Sequence, residues 1–584
     1  MCEWVRITAS RGVPNDGRLW DAETSNAFEV TSRSAPESMR TRQVVVALIM
    51  LEREVLGSLR CTVPATETEH RWDVIVDQSS STYVLLSDPV TRALHMRTTI
   101  RSCLTSVFTA SAAVAVLSGG MTAQTTETQR AAAREILAEI DALQNRLDPT
   151  GMAQRLAGRG DAERDAVVTR TTELWQAEMR DLSDFIGQNP EVAWEEFLAV
   201  DTLTSVLRRR GWDVEIGVAG LETAFVATWT APAGADGLTL GFIGEYDALR
   251  DADGPFHGDQ HNAQTPIVYA SAFAIAEYME RSGTPGQLKI YGTPAEEVGP
   301  PAKVIMHDAG IFDGADLLVR SHGVTETSRS RAGFGSCCLN INEVKYTFLG
   351  RPSHQMASWF GRNALEAAVH FYTLVDGLRS TLRPEASIQG VIPEGGEAPN
   401  VVPQRAVVDY YIRYPDPVYL EHVTKMMNDA ARGAALATGT TVEIDRYGEY
   451  RDGISLGTLQ ELAFAYAGEL DAPRMNPERT RPSGYEETGV VTKDIPGIGI
   501  SVFSSRGANH TRGMLDDTFN EIGHTGFRIS AEIMSSIVYD FMTRPELRDA
   551  VAEEQATLSG LLDEYHQALR EAYAAEIGAP TGHD

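Results

Sequence analysis

Several acidic residues and histidines in this chain stand just after short apolar runs, and that placement constrains the fold more than any other feature. Leu238-Thr-Leu-Gly-Phe-Ile243 leads into Glu245-Tyr246-Asp247 and then His257-Gly-Asp259-Gln260-His261-Asn262. Leu288-Lys-Ile-Tyr291 leads into Gly292-Thr-Pro-Ala-Glu296-Glu297, Asp316-Leu-Leu-Val319 into Ser321-His322, and Ile500-Ser-Val-Phe503 into Asn509-His510. Short apolar runs between helical stretches read as buried parallel strands. Open α/β sheets bind ligands beyond the carboxyl ends of such strands. Four strand ends can then deliver carboxylates and imidazoles into one crevice, a donor set suited to a divalent metal.

A length of 584 residues allows two or three domains with a large core, and 43% hydrophobic residues is a globular composition. The formal net charge of -30 argues against nucleic acid or an anionic membrane surface as partner. The cysteines Cys2, Cys61, Cys103, Cys337 and Cys338 form no readable disulfide framework.

Met96-Arg-Thr-Thr-Ile-Arg101 is a short basic segment, followed by an uncharged apolar run over 104–117 and small residues to Ala123. That is the layout of a secretory signal peptide, with an apolar run too short to span a membrane. The expectation is an exported, periplasmic protein without a membrane anchor, in which 96–123 is the signal. Residues 1–95, which show little periodicity, are then a non-native or unstructured extension.

Residues 127–146 and 162–187 have the spacing of amphipathic helices. From about 190 to 335, strands and helices alternate, which predicts βαβ units. Residues 339–446 change rhythm, with strands at 339–349, 386–392, 406–414 and 442–445 and helices at 363–378 and 418–438. This β-α-β-β-α-β order is ferredoxin-like. It predicts an inserted domain at 338–450 that splits a catalytic domain into 124–337 and 451–545, with a helical tail over 546–584.

Asp259 and His261 are two apart, so an extended loop turns both to one side. Adjacent Glu296 and Glu297 can divide the labour on the turn after Gly-Thr-Pro, one binding metal and the other acting as general base. His322 and His510 each follow an apolar run. His524, in Ile522-Gly-His524-Thr-Gly526, competes with His510 for the last position. His510 is preferred, because His524 falls on or at the start of a helix. His354, in Gly350-Arg-Pro-Ser-His354, could stabilise an oxyanion. Asn400 shares its module, as does Arg413, which could clamp a substrate carboxylate or form a structural ion pair.

Together these motifs resemble the co-catalytic metallopeptidases and amidohydrolases that include carboxypeptidase G, aminoacylase and hippuricase, and most of all the AbgB-like branch of aminobenzoyl-glutamate utilisation proteins. The resemblance covers roughly 165–545. Its carriers are Gly244-Glu-Tyr-Asp-Ala-Leu249, His257–Asn262, Gly292-Thr-Pro-Ala-Glu-Glu297, Ser321-His322, Gly350-Arg-Pro-Ser-His354, Asn400-Val-Val-Pro403 and Asn509-His510. It implies an α/β zinc-peptidase-like catalytic domain with a central mixed, mostly parallel sheet, plus a ferredoxin-like α+β lid and dimerisation domain. It also implies two divalent ions (Zn or Mn) held by Asp259, His261, Glu297, His322 and His510, with Glu296 as general base. Asn400 and Arg413 would bind substrate. Members of the branch pair as homodimers, in which the histidine matching His354 completes the partner's site.

The implied reaction is hydrolysis of the amide bond of N-acyl or N-aroyl amino acids by two-metal-activated water. One departure stands out. The branch reads His-Gly-Cys-Gly-His-Asn where this chain has His257-Gly-Asp259-Gln260-His261-Asn262. Asp259 replaces an oxidisable thiolate, hardening the site towards Zn or Mn, and Gln260 in place of glycine would narrow the cleft. Two other readings are an aromatic aminohydrolase using the same metal pair and a catalytically silent binding protein of this fold.

Overall fold

The computed structural model describes residues 59–63, 70–76, 83–86, 127–335, 340–481 and 489–577. The expected signal at 96–123 and the Cys337-Cys338 pair lie outside the described residues. The chain divides into two compact units, Met1–Met121 and Thr122–Asp584. Within the first unit, Leu59–Val63, His70–Val76 and Tyr83–Leu86 pair as a three-stranded antiparallel sheet. These strands fall in a stretch where the sequence shows little periodicity.

The second unit contains an eight-stranded mixed sheet. Its first strands are β1 (Asp213–Ile216), β2 (Phe225–Thr230), β3 (Leu238–Glu245), β4 (Gly286–Thr293), β5 (Leu317–Val324) and β6 (Thr327–Ser330). A smaller sheet follows, formed by β7 (Asn340–Leu349), β8 (Ser387–Glu394), β9 (Arg405–Tyr414) and β10 (Thr441–Tyr450). The chain then returns to the large sheet with β11 (Met475–Thr480) and β12 (Gly497–Phe503). The large sheet has the order β11-β6-β12-β5-β3-β4-β2-β1. Its centre, β12-β5-β3-β4, is parallel, while β1 and β2 join antiparallel at one edge. The 190–335 region is thus less uniformly βαβ than its rhythm suggests. Short antiparallel strands leave the same apolar-run signal as parallel ones.

The β3-to-β4 crossover is helix α1 (His261–Ser282), apolar on nearly every side and buried along almost its whole length. A helix buried all round is what such a sequence requires. It stops at Gly283, whose φ of 70° lets its amide cap the Met279 carbonyl. His261 is the first residue of this helix, so the strand–loop–helix geometry fixes where its side chain starts.

The inserted module follows the expected order closely. Helices α2 (Ala364–Leu378) and α3 (Pro417–Thr438) cover one face of a sheet ordered β8-β9-β7-β10, antiparallel throughout. Val344, Tyr346 and Phe348 point to the helices, where Tyr346 and Phe371 stack at 4.5 Å between ring centroids. The alternate residues Glu343 and Lys345, with Asp409, Tyr411 and Arg413 opposite them on β9, occupy the helix-free face.

After α4 (Glu521–Thr543), the C-terminal segment is one helix, α5 (Pro545–Ile577). Buried Glu554 on α5 accepts from the amides of Gly457 and Thr458, capping the helix Gly457–Glu469. Farther along, Tyr573 reaches Asp416, the N-cap of α3, at 2.9 Å. One helix therefore contacts both the large-sheet domain and the module. No helix among the described residues is long and apolar enough to cross a membrane.

Candidate metal centre

The site begins where β3 ends. Glu245 is fully buried, with one carboxylate oxygen 2.6 Å from Arg320 Nη1 and 2.9 Å from Lys303 Nζ. Its other oxygen accepts from Gln264 Nε2 and lies 3.4 Å from His261 Nε2. Burial alone would raise its pKa, but Lys303 and Arg320 overcome that and hold it well below the usual carboxylate range.

Two residues on, Asp247 faces the same side. One of its oxygens is 2.9 Å from His261 Nδ1, and the other accepts from the Glu297 amide at 3.0 Å. An ionised carboxylate only accepts, so Nδ1 must carry the proton. His261 Nε2, turned the other way, is buried without a hydrogen-bond partner. It sits between Glu245 at 3.4 Å and Glu296 at 3.9 Å. Burial disfavours a charged His261, yet Glu245, Asp247 and Glu297 outweigh it and push the imidazole pKa well above its ordinary value. A buried nitrogen with no partner, ringed by carboxylates, is an arrangement that a cation satisfies.

Glu296 and Glu297 follow β4. Ala295 before them takes a φ of 53°, and this kink lets two adjacent carboxylates face one centre. Glu297 Oε1 lies 3.9 Å from His261 Nδ1 and Glu296 Oε2 3.9 Å from His261 Nε2. Glu297 is 3% exposed, and burial, reinforced by Asp259 and Asp247, pushes it up to about 8. Asp259 is 2.9 Å from His510 Nε2 and accepts from the His510 amide at 3.2 Å. Burial would raise Asp259, but the His510 hydrogen bond and the nearby histidines bring it down to about 2. His510 Nε2 is also 3.7 Å from Glu297, and at 64% side-chain exposure it forms the rim.

His322 lies inside β5 rather than after it, because the parallel pairing with β12 continues through His322 and Ser501. Its Nδ1 donates to the Gly323 carbonyl at 2.9 Å, and its ring meets that of His261 edge-on at 5.7 Å. Two donor groups result, Glu245–His261–His322 and Asp259–His261–Glu297, each with ligand atoms within 4.8 Å of one another. They share His261, and His510 closes the second. The donor set of imidazole nitrogens and carboxylate oxygens fits Zn or Mn.

The other expected residues lie elsewhere. His524 is on α4, with Nε2 2.8 Å from Asp184 Oδ1, outside the centre. His354 occupies an exposed loop of the module, where its Nδ1 accepts from the Met356 amide. It pairs with Val401, beside Asn400, whose carbonyl accepts from the Gln355 amide. Arg413 is half-buried on the helix-free face, 5.9 Å from the Tyr411 ring. That face meets the loop following Glu297, for the Tyr411 hydroxyl accepts from the Gly299 amide and donates to Glu343.

Gln260 does not narrow the cleft, contrary to expectation. Its side chain is buried and turned inward, accepting from Ser504 Oγ at 2.7 Å and donating towards the Ser504 and Met514 carbonyls at 3.3 and 3.4 Å. Its φ of 59° costs about 1–2 kcal/mol for a residue with a β-carbon. Hydrogen bonds at roughly 1 kcal/mol each offset that. The sequence pattern assigns no role to Glu245, Lys303, Arg320 or Glu196. Glu245 and Asp247 share the i, i+2 signal of Asp259 and His261. Lys303 and Arg320, by contrast, meet Glu245 only through folding.

The chain matches the peptidase dimerisation domain of the M20 family over residues 339–438. It is 31% identical to the Xaa-Arg dipeptidase of Mus musculus over 386 residues, 64% of this chain and 88% of that protein. It is 29% identical to the AbgB component of the p-aminobenzoyl-glutamate hydrolase of Escherichia coli K12 over 311 residues, 51% of this chain and 63% of that one. A crystal structure from methicillin-resistant Staphylococcus aureus, described as an aminohydrolase, shares the fold with a TM-score of 0.50 at 20% identity, covering 65% of this chain and 100% of that one. The chain therefore belongs to the M20 family of metal-dependent peptidases and amidohydrolases.

Proposed function

We propose that this protein hydrolyses the amide bond joining an acyl or aroyl group, or an amino acid, to an amino acid with a free carboxylate, using two divalent ions. The observation that carries this reading is the convergence of Asp259, His261, Glu297, His322 and His510 around buried His261 Nε2, with Glu296 at its edge. Glu245 would add a carboxylate beside His261 and His322. When bound, the ions supply Lewis acidity for the scissile carbonyl and acidify the attacking water.

The chain's own residues do the rest. Glu296 takes the proton of the attacking water on a carboxylate oxygen and returns it to the leaving amine. Asp247 holds the His261 tautomer and the Glu297 backbone together. Arg413 pairs with the substrate carboxylate, with Asn400 contributing a polar contact. His354 acts across a homodimer. Its loop carries Met356, Trp359 and Phe360 at 72%, 69% and 63% exposure, an apolar surface suited to a second copy, in a domain whose family description is dimerisation.

The names of the two relatives above both describe an amide with an amino acid on its amine side, which favours that substrate class. The aminohydrolase and silent-binder readings have no observation of their own in their favour. Export with cleavage near residue 124 remains part of the proposal, tested by sequencing the N-terminus of the secreted protein.

The test is a panel of dipeptides and N-aroyl amino acids, with Zn or Mn added and the released amino acid detected by mass spectrometry. Release by the wild type and none by Glu296→Gln supports the reading. Full metal loading without release of any amino acid contradicts it.

A further inference from the structure

Three of the segments that carry the candidate ligands meet at one side chain. Gln260 sits between Asp259 and His261, is 1% exposed and has left-handed backbone. Ser504 Oγ donates to its carbonyl oxygen at 2.7 Å, and its amide nitrogen reaches the Ser504 and Met514 carbonyls, on either side of His510 in the chain. Ser504 in turn accepts from the Val324 amide through its hydroxyl and donates its own amide to the Val324 carbonyl, two residues beyond His322. Gly323 lies so close that a β-carbon there would come within 2.5 Å of the Gln260 side-chain oxygen.

We infer that Gln260 is a positioning residue for the metal centre, tying the Asp259–His261 segment to the segments bearing His322 and His510 and so setting the spacing of the donor groups. The inference rests on the two-metal reading above. A glycine would adopt the same backbone more easily, so what the glutamine adds is the tie. Such a contact holds ligands in place without touching the ion, and losing one of this kind weakens metal binding 10- to 100-fold as an order of magnitude.

The experiment compares full-length wild type with Gln260→Asn, Gln260→Gly and Ser504→Ala, by calorimetric titration with Mn and by the visible spectrum of the Co-substituted protein. Asparagine tolerates the left-handed backbone but is too short to reach Ser504. Glycine removes both strain and tie, and Ser504→Ala cuts the 2.7 Å bond from the other side. We expect all three to fold, by circular dichroism, to bind at least one Mn equivalent about 10-fold more weakly, and to show shifted Co bands. Wild-type affinity and spectrum in Gln260→Gly and Ser504→Ala would overturn the role of Gln260. Failure of the wild type to take up two equivalents would overturn the two-metal reading as well. Normal uptake without hydrolysis would remove the proposed substrate class and leave the Gln260 result standing.

Discussion

The carboxylate of Glu343, on the module, fills the place where a β-carbon of Gly299 would stand, and it equally occupies that place at Gly448. Gly299 lies two residues after Glu297, so module and active-site loop meet at a slot that only glycines allow. Gly299→Ala must therefore displace Glu343 or the loop. We expect a loss of about 1–3 kcal/mol in stability, as for other overpacked sites, together with a lower kcat. Chemical denaturation and steady-state kinetics measure both, and an unchanged kcat would show that the slot is not coupled to Glu296.

The turn carrying the two glutamates is also held from beneath. Fully buried Glu196 accepts from the Ala295 amide at 2.9 Å and from Thr223 Oγ1 at 2.9 Å. Glu196→Ala should orphan that amide, cost about 1–3 kcal/mol, and lower kcat at nearly constant KM. Glu196→Gln keeps an acceptor oxygen and should restore most of the activity. Equal losses in both variants would mean that the charge, rather than the hydrogen bond, matters.

Metal uptake should depend on pH in a defined direction. Burial lifts Glu297 to about 8, and neighbouring carboxylates raise His261 and His510. These groups bind more protons in the folded, metal-free protein than when unfolded, so stability falls as pH rises through about 8. His257, lowered to about 3 by burial, acts oppositely but only below about 6.5. Cations displace the same protons. The metal-free Tm should drop between about pH 6.5 and 8, and Zn or Mn should raise Tm more at pH 8 than at about pH 6.5. Differential scanning calorimetry with and without chelator checks this, and a larger metal effect at the lower pH would contradict it.

Helix α5 should anchor the module. Tyr573→Phe removes the hydroxyl that donates to buried Asp416 and should cost about 1 kcal/mol. Asp416 also caps α3 through the Tyr419 amide, so Asp416→Ala should cost more. Denaturant unfolding of both variants gives the comparison.

Much of this architecture is legible in the chain because its signals are local. Apolar runs ending in Asp259, Glu297 or His510 reveal strand ends, and the six elements of the module each keep a clear period of two or 3.6 residues. His524 is set apart because its neighbours read as helix. Other features depend on distant residues. Lys303 and Arg320 converge on Glu245 only across the sheet, and the antiparallel pairing of β1 with β2 leaves no distinct pattern. The inward turn of Gln260 is hidden because a glutamine is not a residue from which left-handed backbone is expected. Its partners, Ser504 and Met514, lie some 250 positions away along the chain.

The most direct test is anomalous X-ray diffraction from crystals grown with Zn or Mn. Two anomalous peaks should appear, one among Asp259, His261 and His322 and one among Asp259, Glu297 and His510. A single peak, or peaks away from His261, would contradict the two-ion centre on which the proposed hydrolysis depends.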